Sequence, residues 1–143
     1  MDWSWRKYSV VLGIVGIIIL MPFLLVSTAM MDVYQERIDA EPETEFNRWL
    51  QLNSAWVCAK TWRHELAAHR YRRFTELYPK DPEYRYALLN FASSLEDAGK
   101  ISDAYSIYVR FMAEFPDGED HSTATAGMIR LRYQRPPADR EQE

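Results

Sequence analysis

Residues 85–116, RYALLNFASSLEDAGKISDAYSIYVRFMAEFP, repeat a pattern already present at residues 48–79, RWLQLNSAWVCAKTWRHELAAHRYRRFTELYP. The offset is 37 residues and the alignment needs no gap. Arg48 falls on Arg85, Leu52 on Leu89, Asn53 on Asn90 and Ala55 on Ala92. Ala67 then falls on Ala104, Tyr71 on Tyr108, Arg73-Phe74 on Arg110-Phe111, and Pro79 on Pro116. Nine of 32 positions are identical, where roughly two would match by chance at ordinary residue usage. Trp49/Tyr86 and Tyr78/Phe115 are aromatic pairs besides. In the second half of each block, Ala67, Tyr71, Phe74 and Tyr78, and likewise Ala104, Tyr108, Phe111 and Phe115, step by four, three and four. That spacing lays one apolar stripe along a helix. A period of this length with helical spacing is the mark of stacked helix pairs, each burying its apolar face on the next. Arrays of this kind bind partners and rarely do chemistry.

Outward from the repeat, the spacing predicts five helices, over residues 43–60, 63–78, 82–97, 102–115 and 121–133. Trp49, Leu52, Ala55, Trp56 and Ala59 share a side of the first; Leu88, Phe91, Ala92 and Leu95 are the buried set of the third. Pro42 is expected to start the first helix. Asp81-Pro82-Glu83 restarts the chain after Pro79, with a capping oxygen, a first-turn proline and an acid at the positive end of the dipole. Gly99 suits the left-handed position after a helix end. The fifth helix, with Ala124, Ala126, Met128, Ile129 and Leu131, is expected to cap the array. Residues 134–143, with Pro136-Pro137 and mixed charge, are expected to be disordered.

The layout resembles the tetratricopeptide repeat (TPR) family. Ala55 and Ala92 match its small position on the first helix of a pair, Ala67 and Ala104 that on the second, Tyr71 and Tyr108 its aromatic, and Pro79 and Pro116 its terminal proline. Gly99 matches the turn glycine; the first repeat has Trp62 there, so its turn is expected to differ. The family period is 34, three residues shorter than here. The resemblance covers residues 48–118, with repeats at 48–81 and 82–118 and a capping helix at 119–133. It implies an all-α, right-handed helix-pair array that binds a protein along its first helices. Those positions are Trp49, Leu52, Trp56, Ala59 and Lys60 in repeat one, and Tyr86, Leu89, Ser93, Glu96 and Asp97 in repeat two. Exposed tryptophans there would anchor a partner; the competing reading packs them on residues 32–47 or on the membrane-proximal helix. The family's carboxylate-binding variant is not matched, because Leu52 and Trp56 replace two of its polar positions. The wording around Tyr78-Pro79-Lys80-Asp81-Pro82 and Phe115-Pro116-Asp117-Gly118 also resembles bacterial envelope members of the family.

Residues 9–31 contain no charged side chain. As a helix they would rise about 34 Å, enough for a hydrocarbon core of about 30 Å. Trp3, Trp5 and Tyr8 suit the headgroup layer at one end, and Pro22 would kink the span. Arg6 and Lys7 precede it, while Asp32, Glu36, Asp39, Glu41, Glu43 and Glu45 follow with Arg37 alone against them. Positive charge stays on the cytoplasmic side. Residues 1–8 are therefore expected in the cytoplasm and the repeat domain outside, in the periplasm of a bacterium, joined by an acidic linker over 32–47. The competing reading is a cleaved signal peptide, with Ser27-Thr28-Ala29 at its end; the apolar run is longer than the 7–15 residues usual there.

The chain of 143 residues carries a net charge of −4, which argues against nucleic acid as its partner. Its one cysteine, Cys58, can form no disulfide within the chain. His64 and His69 are five apart and lie on different faces of a helix, so no metal site is expected. No phosphate loop or nucleophile elbow is present, Glu96 and Asp97 beside Lys100 read as a solvated helix end rather than an acid–base pair, and no catalytic residue or cofactor is expected. A basic cluster, Lys60, Arg63, Arg70, Arg72 and Arg73, reads as a face for anionic headgroups or an acidic partner, as a solvated outer face, or as the internal counterpart of the acids at 32–45. Two repeats fall short of the three units a stacked core normally needs. The missing packing is expected from the linker, a second copy or a larger complex. The reading that follows is a membrane-anchored accessory subunit, with lipid around 9–31 and a protein on the repeats. The runner-up is a chaperone-like module gripping secreted or unfolded chains, and an enzyme with a shared site comes third.

Overall fold

The computed structural model describes residues 28–118 and 120–134, with side chains from residue 32 onward. Within them the protein is all-helical: α1 (Thr28–Ala40), α2 (Glu45–Lys60), α3 (His64–Leu77), α4 (Tyr84–Asp97), α5 (Ile101–Glu114) and α6 (His121–Arg132). Trp3, Trp5, Arg6, Lys7, Tyr8 and the predicted span at 9–31 lie outside the described residues, except that residues 28–31 open α1; the tail from residue 135 also lies outside. Among the described residues no helix is long and apolar enough to cross a membrane.

Each helix packs chiefly on its neighbours in sequence, from α1 on α2 through α5 on α6. The small residues sit where the backbones approach: Ala55, Ala67, Ala92 and Ala104 are fully buried. Around them close Tyr71, Phe74, Leu88, Phe91, Tyr108 and Phe111. The rings run on into the helix ends, with Phe74–Tyr78 centroids 5.0 Å apart and Phe111–Phe115 5.2 Å apart.

The 37-residue offset recurs in the hydrogen bonds. Asn53 Nδ2 donates to the Trp49 carbonyl and Asn90 Nδ2 to the Tyr86 carbonyl, both at 2.8 Å. Arg63 N reaches the Cys58 carbonyl at 3.0 Å and Lys100 N the Leu95 carbonyl at 2.9 Å, closing both helix pairs in the same way. Both turns pass through a left-handed residue, Gly99 at φ +75° and Trp62 at φ +62°. The first turn therefore does not differ from the second, as the absence of glycine had suggested. Tryptophan adopts the glycine conformation instead. A non-glycine residue there carries about 1–2 kcal/mol of strain. Glycine adds back about 0.4–1 kcal/mol of unfolded-chain freedom. Trp62→Gly is expected to stabilise the fold by about 1 kcal/mol; thermal melting checks it, and a lower melting temperature would contradict it.

Three boundaries need correction. Residues 32–40 are helix rather than linker. Tyr34 packs on the core and Ile38 is fully buried, and Asp39 pairs with Arg73 at 2.8 Å, so α1 is docked by a sparse apolar contact and an ion pair. Pro42 does not start a helix: α2 begins at Glu45, where Thr44 Oγ1 accepts from Asn47 N at 3.3 Å, while Asn47 Nδ2 donates back to the Glu41 carbonyl at 2.7 Å. Asp81 does not cap the helix: its Oδ1 accepts from Glu83 N at 2.8 Å inside a turn of Pro82 and Glu83, and α4 starts at Tyr84 with Glu83 as an N-cap that makes no side-chain bond.

The last helix buries Ala124, Gly127 and Leu131, whereas Ala126 and Ile129 of the predicted stripe face outward. Gly127 decides its rotation. A Cβ there would lie 2.6 Å from Tyr108 Cζ, so α6 presses its bare backbone onto the Tyr108 ring. Gly127→Ala must push that ring aside, at a cost of about 1–3 kcal/mol. Urea unfolding reads the loss; an unchanged midpoint would show that α6 docks elsewhere.

Candidate partner-binding face

The first helices of the two pairs, α2 and α4, place aromatic rings outward. Trp49 is 58% exposed, Trp56 46% and Tyr86 40%, so these rings are not consumed by the core or by α1. Leu52 and Leu89 are half-buried beside them. Phe46, which sequence reasoning passed over, is 56% exposed and stacks on Trp49 with centroids 6.2 Å apart. Its i, i+3 spacing to Trp49 was the available signal.

Two clefts open on this side. One, of about 390 Å³, is lined by Trp49 and Leu52 with Arg48, Phe74 and the Asp81 turn. Arg48 Nη1 pairs with Asp81 Oδ2 at 2.8 Å and fixes its wall. The other, of about 160 Å³, gathers Trp56, Ala59 and Lys60 from α2, Tyr71 beneath, and Tyr86, Ser93 and Asp97 from α4. Lys60 Nζ sits 6.0 Å from the Trp56 ring centroid. Of the predicted groove, then, Trp56, Lys60, Tyr86, Ser93 and Asp97 converge, and Trp49 and Leu52 form a second group. Leu89 and Glu96 line neither cleft.

Glu96 is removed by an internal network that sequence reasoning did not foresee. Its Oε1 and Oε2 accept from Arg130 Nε at 2.6 Å and Nη2 at 2.8 Å, and Tyr108 Oη donates to Oε2 at 3.1 Å. This fork joins α6 to α4 and closes the space above the second repeat's tyrosine. The first repeat has Ala59 where the second has Glu96, and Ser93 where α6 has Arg130. There the space stays open as the smaller cleft, with Tyr71 fully buried and its hydroxyl unpartnered among the described residues. Burial pushes the Tyr71 phenol pKa far above its ordinary value, with Tyr86 adding to the rise, although the geometry makes no hydrogen bond between the two. An unsatisfied buried hydroxyl is destabilising unless a water or a ligand group meets it. The two otherwise equivalent tyrosines thus differ: Tyr108 is closed over by Glu96 and Arg130, and Tyr71 lies beneath an open cleft.

The basic cluster does not form a free surface. Arg70 is 2% exposed; its Nη1 donates to Ser54 Oγ at 3.0 Å, and its carbonyl accepts from Gln51 Nε2 at 2.7 Å. Arg73 pairs with Asp39 of α1 at 2.8 Å and with Glu76 at 3.4 Å, while Arg72 lies 3.5 Å from Glu76. Arg63 is half-buried and engaged, and Lys60 alone of the set stands on the aromatic face. Burial works against the Asp39 carboxylate, but hydrogen bonds from Arg73 and Gln35 outweigh it and hold its pKa below the ordinary value. A depressed carboxylate contributes stability above its unfolded pKa and loses it as the pH falls through the folded one. The docking of α1 on α3 thus weakens in acid.

A larger cleft, of about 480 Å³, lies on the opposite side between α3 and α5, with Ala68, Phe91 and Leu95 in its floor and His69, Arg72 and Glu65 on its walls. The Lys100–Glu65 ion pair, at 3.5 Å, stands on its rim. Its walls are charged side chains, several of them ion-paired, and it holds none of the aromatic face. Cys58 is buried, and desolvation raises its thiol pKa, so the thiolate needed for nucleophilic chemistry is disfavoured. Among the described residues no cluster of His, Cys, Asp and Glu could hold a metal ion. Compared with known proteins, the chain matches no family model and no curated protein.

Proposed function

We propose that this chain is a membrane-anchored, TPR-like scaffold that holds a protein partner on its α2–α4 face, as an accessory subunit of a membrane complex on the extracytoplasmic side. The observation that carries this reading is the outward row of Trp49, Trp56 and Tyr86 around two clefts. Exposed aromatics beside concave pockets are the residue types that dominate binding energy at interfaces. The TPR part of the reading rests on the 37-residue helix-pair period and its buried alanines; the anchor rests on the uncharged run at 9–31. α1 continues that run into the domain and packs on α2, so span and array would form one connected subunit.

Mild-detergent purification of the intact chain, with the co-purifying proteins identified and counted, tests the reading. A fixed-ratio partner is expected. A monomer that binds varied peptides weakly would favour the chaperone-like alternative, for which the same open aromatic face is also suited. A chain that is monomeric and binds neither protein nor peptide would sink both.

A further inference from the structure

The turn between α2 and α3 carries the least protected aromatic of the described residues. Trp62 is 85% exposed, and its ring touches only the edge of His64, with centroids 6.0 Å apart. It also stands in the left-handed conformation that the second repeat gives to Gly99. A residue that is strained, apolar and solvent-facing gains nothing from the fold, and strain of this kind collects at functional positions.

Register places this turn at one end of the helix stack. Asp39 meets Arg73, the Pro42 carbonyl accepts from Tyr78 Oη at 2.7 Å, and Asp32 lies within electrostatic reach of Arg70. These pairings run in the same order along both segments, so α1 and α3 are parallel. At equal rise per residue, the Asp39–Arg73 pairing carried back puts Trp62 level with residue 28, at the head of α1. The His64–Asp97 and Arg130–Glu96 pairs, at 3.7 and 2.6 Å, bring the ends of α4 and α6 to this level. Tyr133, 77% exposed, follows α6 there.

The two ends of the stack differ in charge. At the Trp62 end, Lys60, Arg63, Lys100, Arg130 and Arg132 stand with Glu65, Glu96 and Asp97, and Lys100 is ion-paired with Glu65 and Arg130 with Glu96. At the other end, turns 41–44, 78–83 and 115–120 contain Glu41, Glu43, Asp81, Glu83, Asp117 and Asp120 against Lys80. An exposed indole favours the headgroup layer.

We propose that the α2–α3 turn rests on the bilayer surface, with the Trp62 ring in the headgroup layer. The proposal rests on the reading of residues 9–31 as an anchor, since that is what brings a bilayer to the head of α1. The contact holds the array at a fixed tilt, aromatic face sideways, rather than letting it swing on a tether.

Trp62→Gly separates the contact from the fold, because glycine suits the turn. The intact chain and this variant are reconstituted in phosphatidylcholine–phosphatidylglycerol vesicles, with some of the phosphatidylcholine brominated at the headgroup end of its acyl chains. Carbonate extraction is run alongside. The expected result is stronger bromolipid quenching of the wild-type chain, with a blue-shifted emission in the difference between the two. Equal quenching of two carbonate-resistant chains would overturn the lipid contact and leave the anchor standing. A blue-shifted difference emission that bromolipid does not quench would also overturn it, and would place Trp62 against protein. If carbonate releases both chains, the anchor reading fails and the proposal fails with it.

Discussion

Phe111→Ala is expected to remove about 3–5 kcal/mol of folding stability. Phe111 is fully buried, in the last turn of α5, with Phe115 5.2 Å away and the Arg85 guanidinium 5.9 Å from its ring centroid. Its loss leaves a cavity that only α4 and the last turn could fill. Neither can move freely. Arg85 is tied to Asp120 at 3.1 Å, and a Cβ on Gly118 would come within 2.3 Å of its Nη2, so the turn below α5 is already closely packed. Total stability of a domain this size is about 5–15 kcal/mol, and a short array has few other contacts to absorb the loss. Urea unfolding followed by circular dichroism should show the midpoint fall sharply. A shift below about 1 kcal/mol would mean that the two helix pairs are held together some other way. Half-buried Phe115 is the control, and Phe115→Ala should cost distinctly less.

The second large effect is on binding. Trp49→Ala with Trp56→Ala is expected to weaken partner affinity about a thousandfold. Each buried aromatic anchor typically contributes at least about 2 kcal/mol, or roughly thirtyfold. The two rings are about 10 Å apart along α2 and face different clefts, so their effects should nearly add. Stability should hardly change, because both rings are about half exposed. An unchanged circular dichroism spectrum with lost binding would separate contact from folding.

How much of this was readable in advance depends on what each residue touches. The helix pairs were legible because Ala67-Tyr71-Phe74 and Ala104-Tyr108-Phe111 repeat both their spacing and their chemistry. The direction of Trp49 and Trp56 was not legible: the spacing put them on one side with Ala55, which is fully buried while both rings face outward. The helix over residues 32–40 was missed because it docks with only Tyr34 and Ile38 among charged neighbours, too sparse a stripe to register as periodic. Arg70 looked like a surface charge from composition. It sits at the position of Ile107 in the other repeat, a core-facing place, and only the three-dimensional contacts to Ser54 and Gln51 explain how a cation is accommodated there. Glu96 was read as a groove residue for the opposite reason: its spacing is right, but Arg130, 34 residues away, claims it. Trp62 shows the limit of residue preferences in turns, since the backbone path is set by the helices on either side and the side chain has to comply.

We propose that the α2–α4 face holds a stoichiometric protein partner. The most direct measurement is the ratio of partner to chain in mild-detergent preparations of the wild type and of the Trp49→Ala/Trp56→Ala variant, purified side by side. A fixed ratio for the wild type that collapses toward zero in a folded variant is the predicted result. The same ratio in both would contradict the claim and move the interface off this face.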